Sequence, residues 1–338
     1  MGNLLPAVPA AAPLHADLSS LSSEVARYIE VGLQGSANTQ RGYLSDLRNF
    51  TTYCESRGLS SLPATTGTVV QFVAVLADGG RLNISDESEK RKPCKLSTIR
   101  RHLAAIYKQH QLAGYSSAIN PEGVNMVMDG ITRVKGKKQR QAPAFTIEHL
   151  RDVIRGLDLT TPAGLRDRAL LLLGFAGAFR RSELVALNVE QLEMRREALL
   201  VHLLQSKTNQ YGEVEDKAVF YSGNVLYCPV RAVQDWLEVL GRTEGPLFVS
   251  LTRTSGKPAQ PSRNRLSAHR VNMLVQQHLG PTYSAHSLRA SFVTISVQRG
   301  KPNQAIKNQT KQKTDAMIER YSRLNDVMAF NAAQDLGL

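Results

Sequence analysis

The chain has 338 residues, a formal net charge of +13 and a hydrophobic fraction of 42%. That length suits about two domains, and so positive a balance points to a polyanionic partner, of which nucleic acid is the commonest. Three scattered cysteines, Cys54, Cys94 and Cys228, argue against a disulfide framework and for a reducing compartment, and no run of about 18 apolar residues suggests a membrane span.

Residues 1–18 open the chain as an Ala/Pro-rich stretch interrupted by Pro6, Pro9 and Pro13. It lacks the basic start of a signal peptide and is expected to be a flexible arm. Residues 19–135 read as helical. Leu44, Leu47 and Phe50 recur at helical spacing behind Asn38-Thr39, a candidate N-cap. An apolar helix follows from Thr66 to Leu76 and stops at Gly79-Gly80. The charged stretch 84–93 is a loop. From Leu96 to Leu112, Ile99, Leu103, Ile106 and Tyr107 form one apolar face, with Arg100, Arg101 and Lys108 off it. A further helix spans 121–134.

Arg133 to Arg140 reads RVKGKKQR, five basic residues in eight. Such a run is usually a solvated linker; in a basic chain, Lys135, Lys137 and Lys138 are equally suited to meet phosphates. The domain boundary is expected within 136–144.

The second half opens with Thr146 as the N-cap of a helix to Gly156. The nearly continuous apolar run from Arg166 to Phe175 is expected to be a buried helix. Residues 199–203 and 218–220 read as two strands around a polar turn. Helices are expected over 228–240, which holds the single tryptophan Trp236, and over 266–279, 287–298 and 314–321. The fold class is mainly α, with a small antiparallel sheet in the second domain. No CxxC, HExxH or Walker A pattern is present, so neither a metal nor a nucleotide cofactor is indicated.

Against this frame stand a few polar residues: Arg180 in Gly177-Ala178-Phe179-Arg180-Arg181-Ser182-Glu183-Leu184, Lys207 on the polar turn, His286-Ser287-Leu288-Arg289, and Tyr321 in Glu319-Arg320-Tyr321-Ser322-Arg323. A phosphodiester resists attack because it is an anion with a poor leaving group, so positive charge and a proton donor are needed. Arg180 and Arg289 suit the first task, since a guanidinium bonds two phosphate oxygens and stays charged. Arg181 is a rival to Arg180. Glu183, three positions on at a helix start, can hold Arg180; a plain surface pair has the same spacing. His286 can exchange a proton or bond an oxygen. A phenol can form a phosphate ester that stores the energy of the broken bond. Taken singly, each residue has an ordinary structural reading. Their order and spacing together set them apart.

This ordered set resembles the tyrosine recombinase (phage integrase) family. The resemblance spans most of the chain and selects Arg180 over Arg181. It implies an N-terminal helical core-binding (SAM-like) domain and, from 145 to 338, a mixed α/β catalytic domain with a tail helix. It further implies a site-specific recombinase with Tyr321 as nucleophile, Lys207 as general acid on a hairpin, and a Holliday junction. Neither metal nor ATP is needed. The implied partner is double-stranded DNA with inverted-repeat half-sites, bound by a homo-tetramer on two DNA sites that is a monomer or weak dimer without DNA. The implied location is cytoplasmic, in a bacterium, phage or plasmid setting. One position departs: the family usually has His or Trp nine residues before the tyrosine, where this chain has Gln312. Glutamine donates a hydrogen bond but carries no proton. The same chemistry serves type IB topoisomerase-like and telomere-resolving enzymes, and Gln312 admits a DNA-binding regulator with a decayed site.

For DNA contact beyond the site, Thr98, Arg100 and Arg101 lie on a helix whose other face is apolar, with Arg41 on the preceding one. Arg263, Arg265, Ser267, His269 and Arg270 cluster around a helix start, a place suited to phosphates. In the tail, Val327, Met328, Phe330 and Leu336 recur at roughly helical spacing, fit either for the chain's own domain or for a neighbouring subunit.

Overall fold

Apolar stripes of helical period build both halves of the chain, and small or polar residues punctuate them. In a computed structural model, residues 37–89, 91–116, 118–136, 142–203, 215–252 and 259–322 are described, with backbone alone for 37, 38 and 320–322. The chain divides into two units, Met1–Gln139 and Arg140–Leu338.

The first unit contains helices α1 (Ala37–Glu55), α2 (Thr66–Asp78), α3 (Leu96–Leu112) and α4 (Pro121–Lys135). Thr65 caps α2 by accepting from the Thr68 N–H. Gly79 ends it at φ 79°, where a Cβ would lie 2.7 Å from the Arg91 carbonyl oxygen; only glycine fits there. Phe50, Tyr53, Phe72, Val73, Ile99 and Ile106 form the core. Two expectations need correction. Helix α1 begins at Ala37, so Asn38-Thr39 lies inside it. Leu44 is 56% exposed. The inward stripe of α1 runs through Asp46, Phe50 and Tyr53, and Leu44 sits about 200° around the helix from Asp46.

In the second unit, α5 (Ile147–Arg155) and α6 (Pro162–Ala176) lead to a short α7 (Arg181–Ala186). Strands β1 (Leu192–Met194), β2 (Ala198–Leu203) and β3 (Glu215–Phe220) form an antiparallel sheet with β2 in the centre. Helix α8 (Pro229–Leu240) precedes a second antiparallel pair, β4 (Val249–Leu251) and β5 (Pro261–Arg265). Helices α9 (Ala268–Leu279), α10 (Ala285–Gln298), α11 (Asn303–Thr310) and α12 (Asp315–Ser322) complete it.

Helix α6 is the central element. Its residues Leu170 to Leu173 are buried with Trp236 of α8, whose indole N–H donates to the Leu247 carbonyl at 2.8 Å. Arg166, Asp167 and Arg168 near its start are also buried, which is tolerated because each is bonded. Arg166 pairs with Asp167, which also meets His278 at 2.9 Å. Arg168 meets Asp235 and the carbonyls of Val225 and Leu226. Among the described residues, no helix is long and apolar enough to cross a membrane.

Gly174 sets how closely α6 approaches its neighbours. A Cβ there would lie 2.8 Å from Leu288 Cδ1 and 3.1 Å from Leu184 Cδ2. Leu288 precedes Arg289 and Leu184 follows Glu183, so this contact fixes both polar motifs. Gly174→Val is expected to lower stability by about 2 kcal/mol, or roughly 4–8 °C in a unit of this size. A thermal unfolding curve checks this; an unchanged midpoint would show that the contact is slack.

Candidate active site

The site begins where α6 ends. A Cβ on Gly177 would meet the Phe179 ring at 2.0 Å. Ala178 takes φ 46°, a left-handed conformation that costs a non-glycine residue about 1–2 kcal/mol. Such strain persists only where surrounding bonds hold it. Here the turn's carbonyls are bonded from within the unit. Lys217 Nζ donates to the Gly177 oxygen at 2.9 Å and to the Ala178 oxygen at 3.3 Å. Arg289 Nη1 donates to the same Ala178 oxygen at 2.8 Å.

Arg180 follows and is the N-cap residue of α7. Its backbone N–H donates to Glu183 Oε2 at 2.9 Å and its Nη1 to Oε1 at 2.5 Å, so the i,i+3 spacing does bring the pair together. Glu183 is buried, and its Oε2 also lies 3.5 Å from Lys217 Nζ. The two arginines then converge on the end of α11. Arg289 Nη2 donates to the Thr310 carbonyl at 2.5 Å, and Arg180 Nη2 to the Lys311 carbonyl at 3.4 Å. Gln309 Nε2 donates to the carbonyls of Ala176 and Ala218, both at 2.9 Å. Helix α12, which carries Tyr321, starts just beyond. Arg289 is 2% exposed, whereas the Arg180 side chain is 18% exposed, so the cluster lies at a surface rather than sealed in the core.

Burial pushes Lys217 down to about 7; Glu183 opposes that shift, while Arg289 and Arg180 reinforce it. The ammonium lies 4.6 Å from the centre of the Phe179 ring. For Glu183, burial alone would raise the carboxyl. The charge of Lys217, the Arg180 N–H and the Arg180 guanidinium outweigh it and hold the group below the ordinary glutamate range. His286, on α10, keeps an exposed edge. Desolvation by its surroundings lowers its pKa, and the charges of Arg289, Arg180 and Arg181 lower it further. The imidazole is therefore neutral near pH 7 and able to accept a proton.

Gln312 is buried, and its Oε1 has no hydrogen-bond partner among the described residues. An unbonded buried amide oxygen costs about 1–3 kcal/mol, a penalty that an arriving donor relieves. Tyr321 is on α12, and Lys207 lies outside the described residues. Among the described residues, no group of three or more His, Cys, Asp or Glu could hold a metal ion.

The residues expected to meet DNA have varied settings. Arg41 and Arg100 are exposed on α1 and α3, and Thr98 is half-buried. Arg101 forks onto buried Asp46, with bonds of 2.7 and 2.9 Å. Lys135 ends α4, while Lys137 and Lys138 lie outside the described residues. Arg263 is exposed on β5. Arg265 already donates to the carbonyls of Val185 and Leu187 and to Asn188 Oδ1, which ties β5 to the end of α7. Ser267 caps α9 by accepting from the Arg270 N–H; His269 and Arg270 are exposed in the first turn. The residues 1–18 and the tail 323–338 also lie outside the described residues.

Sequence reasoning missed Lys217. The signal was available: Lys217 is two positions from Val219 on the same strand, so strand alternation puts both on the buried face.

Glu183 yields a pH test. Its folded pKa is depressed, so its stabilising effect is full above the unfolded glutamate pKa of about 4.3 and is lost as pH falls through the folded value. Glu183→Gln is expected to cost about 3 kcal/mol at pH 7, a gap that narrows as pH drops toward 3. Paired melting curves measure it. A gap that widened on acidification would reverse the assigned charge state.

Residues 145–328 match the model of the phage integrase family. A relative described as "Integrase/recombinase xerD homolog", from Selenomonas ruminantium, is 33% identical over 305 residues, covering 87% of this chain and 84% of its own length. A crystal structure of XerH site-specific recombinase bound to palindromic difH substrate aligns with a TM-score of 0.55 at 13% identity, over 81% of this chain and 73% of that one. A lambda integrase dimer bound to a COC' core site aligns with a TM-score of 0.54 at 16% identity, over 89% and 95%. At those identities the two structures speak for the fold, mainly helical with small antiparallel sheets. The family match, the similarity to the Selenomonas relative and the convergence of the two arginine motifs lead to one conclusion: this chain belongs to the phage integrase family of tyrosine recombinases.

Proposed function

We propose that this chain is a site-specific DNA recombinase that breaks and rejoins duplex DNA through a phosphotyrosine. The observation that carries the reading is the convergence of Arg180 and Arg289 on successive carbonyls, Thr310 and Lys311, just ahead of the helix that bears Tyr321. Two guanidinium groups so held are ready to receive the non-bridging oxygens of one phosphate, replacing carbonyl partners with a full anion.

In the reaction, Tyr321 Oη bonds to the scissile phosphorus as the bond to the 5′ oxygen breaks. Neutral His286 takes the phenol proton. Lys207 protonates the departing oxygen. The products are a 3′-phosphotyrosine and a free 5′ hydroxyl. Because the ester retains the energy of the broken bond, attack by a 5′ hydroxyl reseals the strand without a nucleotide. Exchange between two sites passes through a Holliday junction, with protomers on inverted half-sites and four assembled on two DNA sites. The exposed basic residues Arg41, Arg100, Arg263 and Arg270 suit backbone contact, so binding weakens steeply with salt. Gln312, whose amide oxygen has no partner among the described residues, stands nine residues before the tyrosine; rotation of the amide offers its NH2 to a phosphate oxygen.

The test uses a nicked suicide duplex carrying the sequence that the purified protein selects from random DNA. Wild type is expected to trap a covalent adduct, and Tyr321→Phe to bind with similar affinity and trap none. Arg289→Lys should lose roughly 10²–10³ in rate. A Phe variant that still cuts overturns the reading, and a wild type that binds without cutting leaves a regulator. Gln312→His should leave cleavage intact or raise it; complete loss would remove Gln312 from the phosphate's surroundings.

A further inference from the structure

We propose that Lys217 is a positioning residue that sets the two-arginine clamp from beneath, without itself touching DNA. This rests on the recombinase reading above. Lys217 lies on β3, paired with Val201 of β2, at an inward position that would ordinarily hold a valine or leucine. Its side chain is 0% exposed, so it is out of reach of a phosphate at the surface. An ammonium so placed must have its donors occupied, and among the described residues the three acceptors around it all belong to the clamp's supports. They are the Gly177 and Ala178 carbonyls and Glu183 Oε2.

Two of these acceptors lead to an arginine. The Ala178 oxygen accepts from Lys217 and Arg289 together, so it ties the ammonium to the deeper guanidinium. Glu183 joins Lys217 to Arg180. Ala178 is the residue held at positive φ, and Lys217 supplies a bond from within to each carbonyl of that turn. Without the ammonium, the turn can relax toward an ordinary backbone. Arg289 then loses the fixed acceptor that aims it, and Glu183 is left to Arg180 alone. The general acid of the reaction is a separate group, because the leaving oxygen lies at the DNA and Lys217 does not.

The test compares wild type, Lys217→Met and Glu183→Gln/Lys217→Met. The duplexes are nicked suicide substrates with either oxygen or sulfur at the leaving 5′ position. A sulfur leaving group needs no acid, so it rescues loss of a proton donor but not loss of positioning. Affinity, cleavage rate at saturating DNA and melting temperature are read for each. Lys217→Met is expected to bind within about threefold of wild type and to cleave about 100-fold more slowly, on oxygen and sulfur alike. The double variant, which also removes the buried carboxylate that Lys217 helps neutralise, should regain melting temperature but not rate. If Lys217→Met does not fold, the double variant is compared with Glu183→Gln alone, so that only the change at Lys217 separates the two rates. A near-wild-type rate, a rate that recovers together with melting temperature, or rescue by sulfur each overturns the positioning role. A wild type that forms no adduct overturns the recombinase reading and this one with it.

Discussion

One backbone oxygen holds the site together. The Ala178 carbonyl accepts from Arg289 and Lys217 at once, and the turn that presents it is strained. Taking a cation out of water costs several kcal/mol unless its donors are satisfied. Arg289 and Lys217 are both almost wholly buried, and main-chain carbonyls plus Glu183 meet that demand. The consequence is rigidity. Catalysis by charge depends on donors fixed before the charge develops, and a guanidinium anchored on two carbonyls has little freedom left to lose.

The fold brings these groups together from separate stretches of chain. Helix α6 delivers the turn and Arg180, β3 delivers Lys217, α10 delivers Arg289 and His286, and α11 closes the arrangement. Gly174 lets α10 approach α6 at Leu288. The Phe145 N–H donates to Ser291 Oγ at 2.8 Å, fixing the start of the unit on the same helix. Gln309 reaches the end of α6 and the strand β3 together. The clamp and the approach to the tyrosine helix are therefore one bonded assembly, so anything that disturbs the end of α11 is felt at both arginines.

Much of this was legible in the sequence because it is written at short range. Arg180 and Glu183 at i,i+3, His286 and Arg289 at i,i+3, and the long apolar helices all declare themselves by spacing. What escaped depends on tertiary context. Helix α11 has Ile306 as its one fully buried large apolar residue, too little for a periodic signal. Strand β5 reads Pro-Ser-Arg-Asn-Arg, which no propensity favours; pairing with β4 and the Arg265 bonds hold it. Leu44 was expected on an apolar stripe and is exposed, because Asp46 occupies the inward phase to receive Arg101 and His102. Lys217 stands one residue before the stretch 218–220 that reads as a strand, and extending that strand back to Glu215 puts it in phase with buried Val219.

The central claim is that Tyr321 becomes covalently joined to DNA beside this clamp. The most direct measurement is mass spectrometry of proteolysed, nuclease-trimmed adducts from the suicide duplex. The account predicts a nucleotide linked through its 3′ phosphate to the peptide containing Tyr321, on the tyrosine itself. A nucleotide found on any other side chain would contradict it.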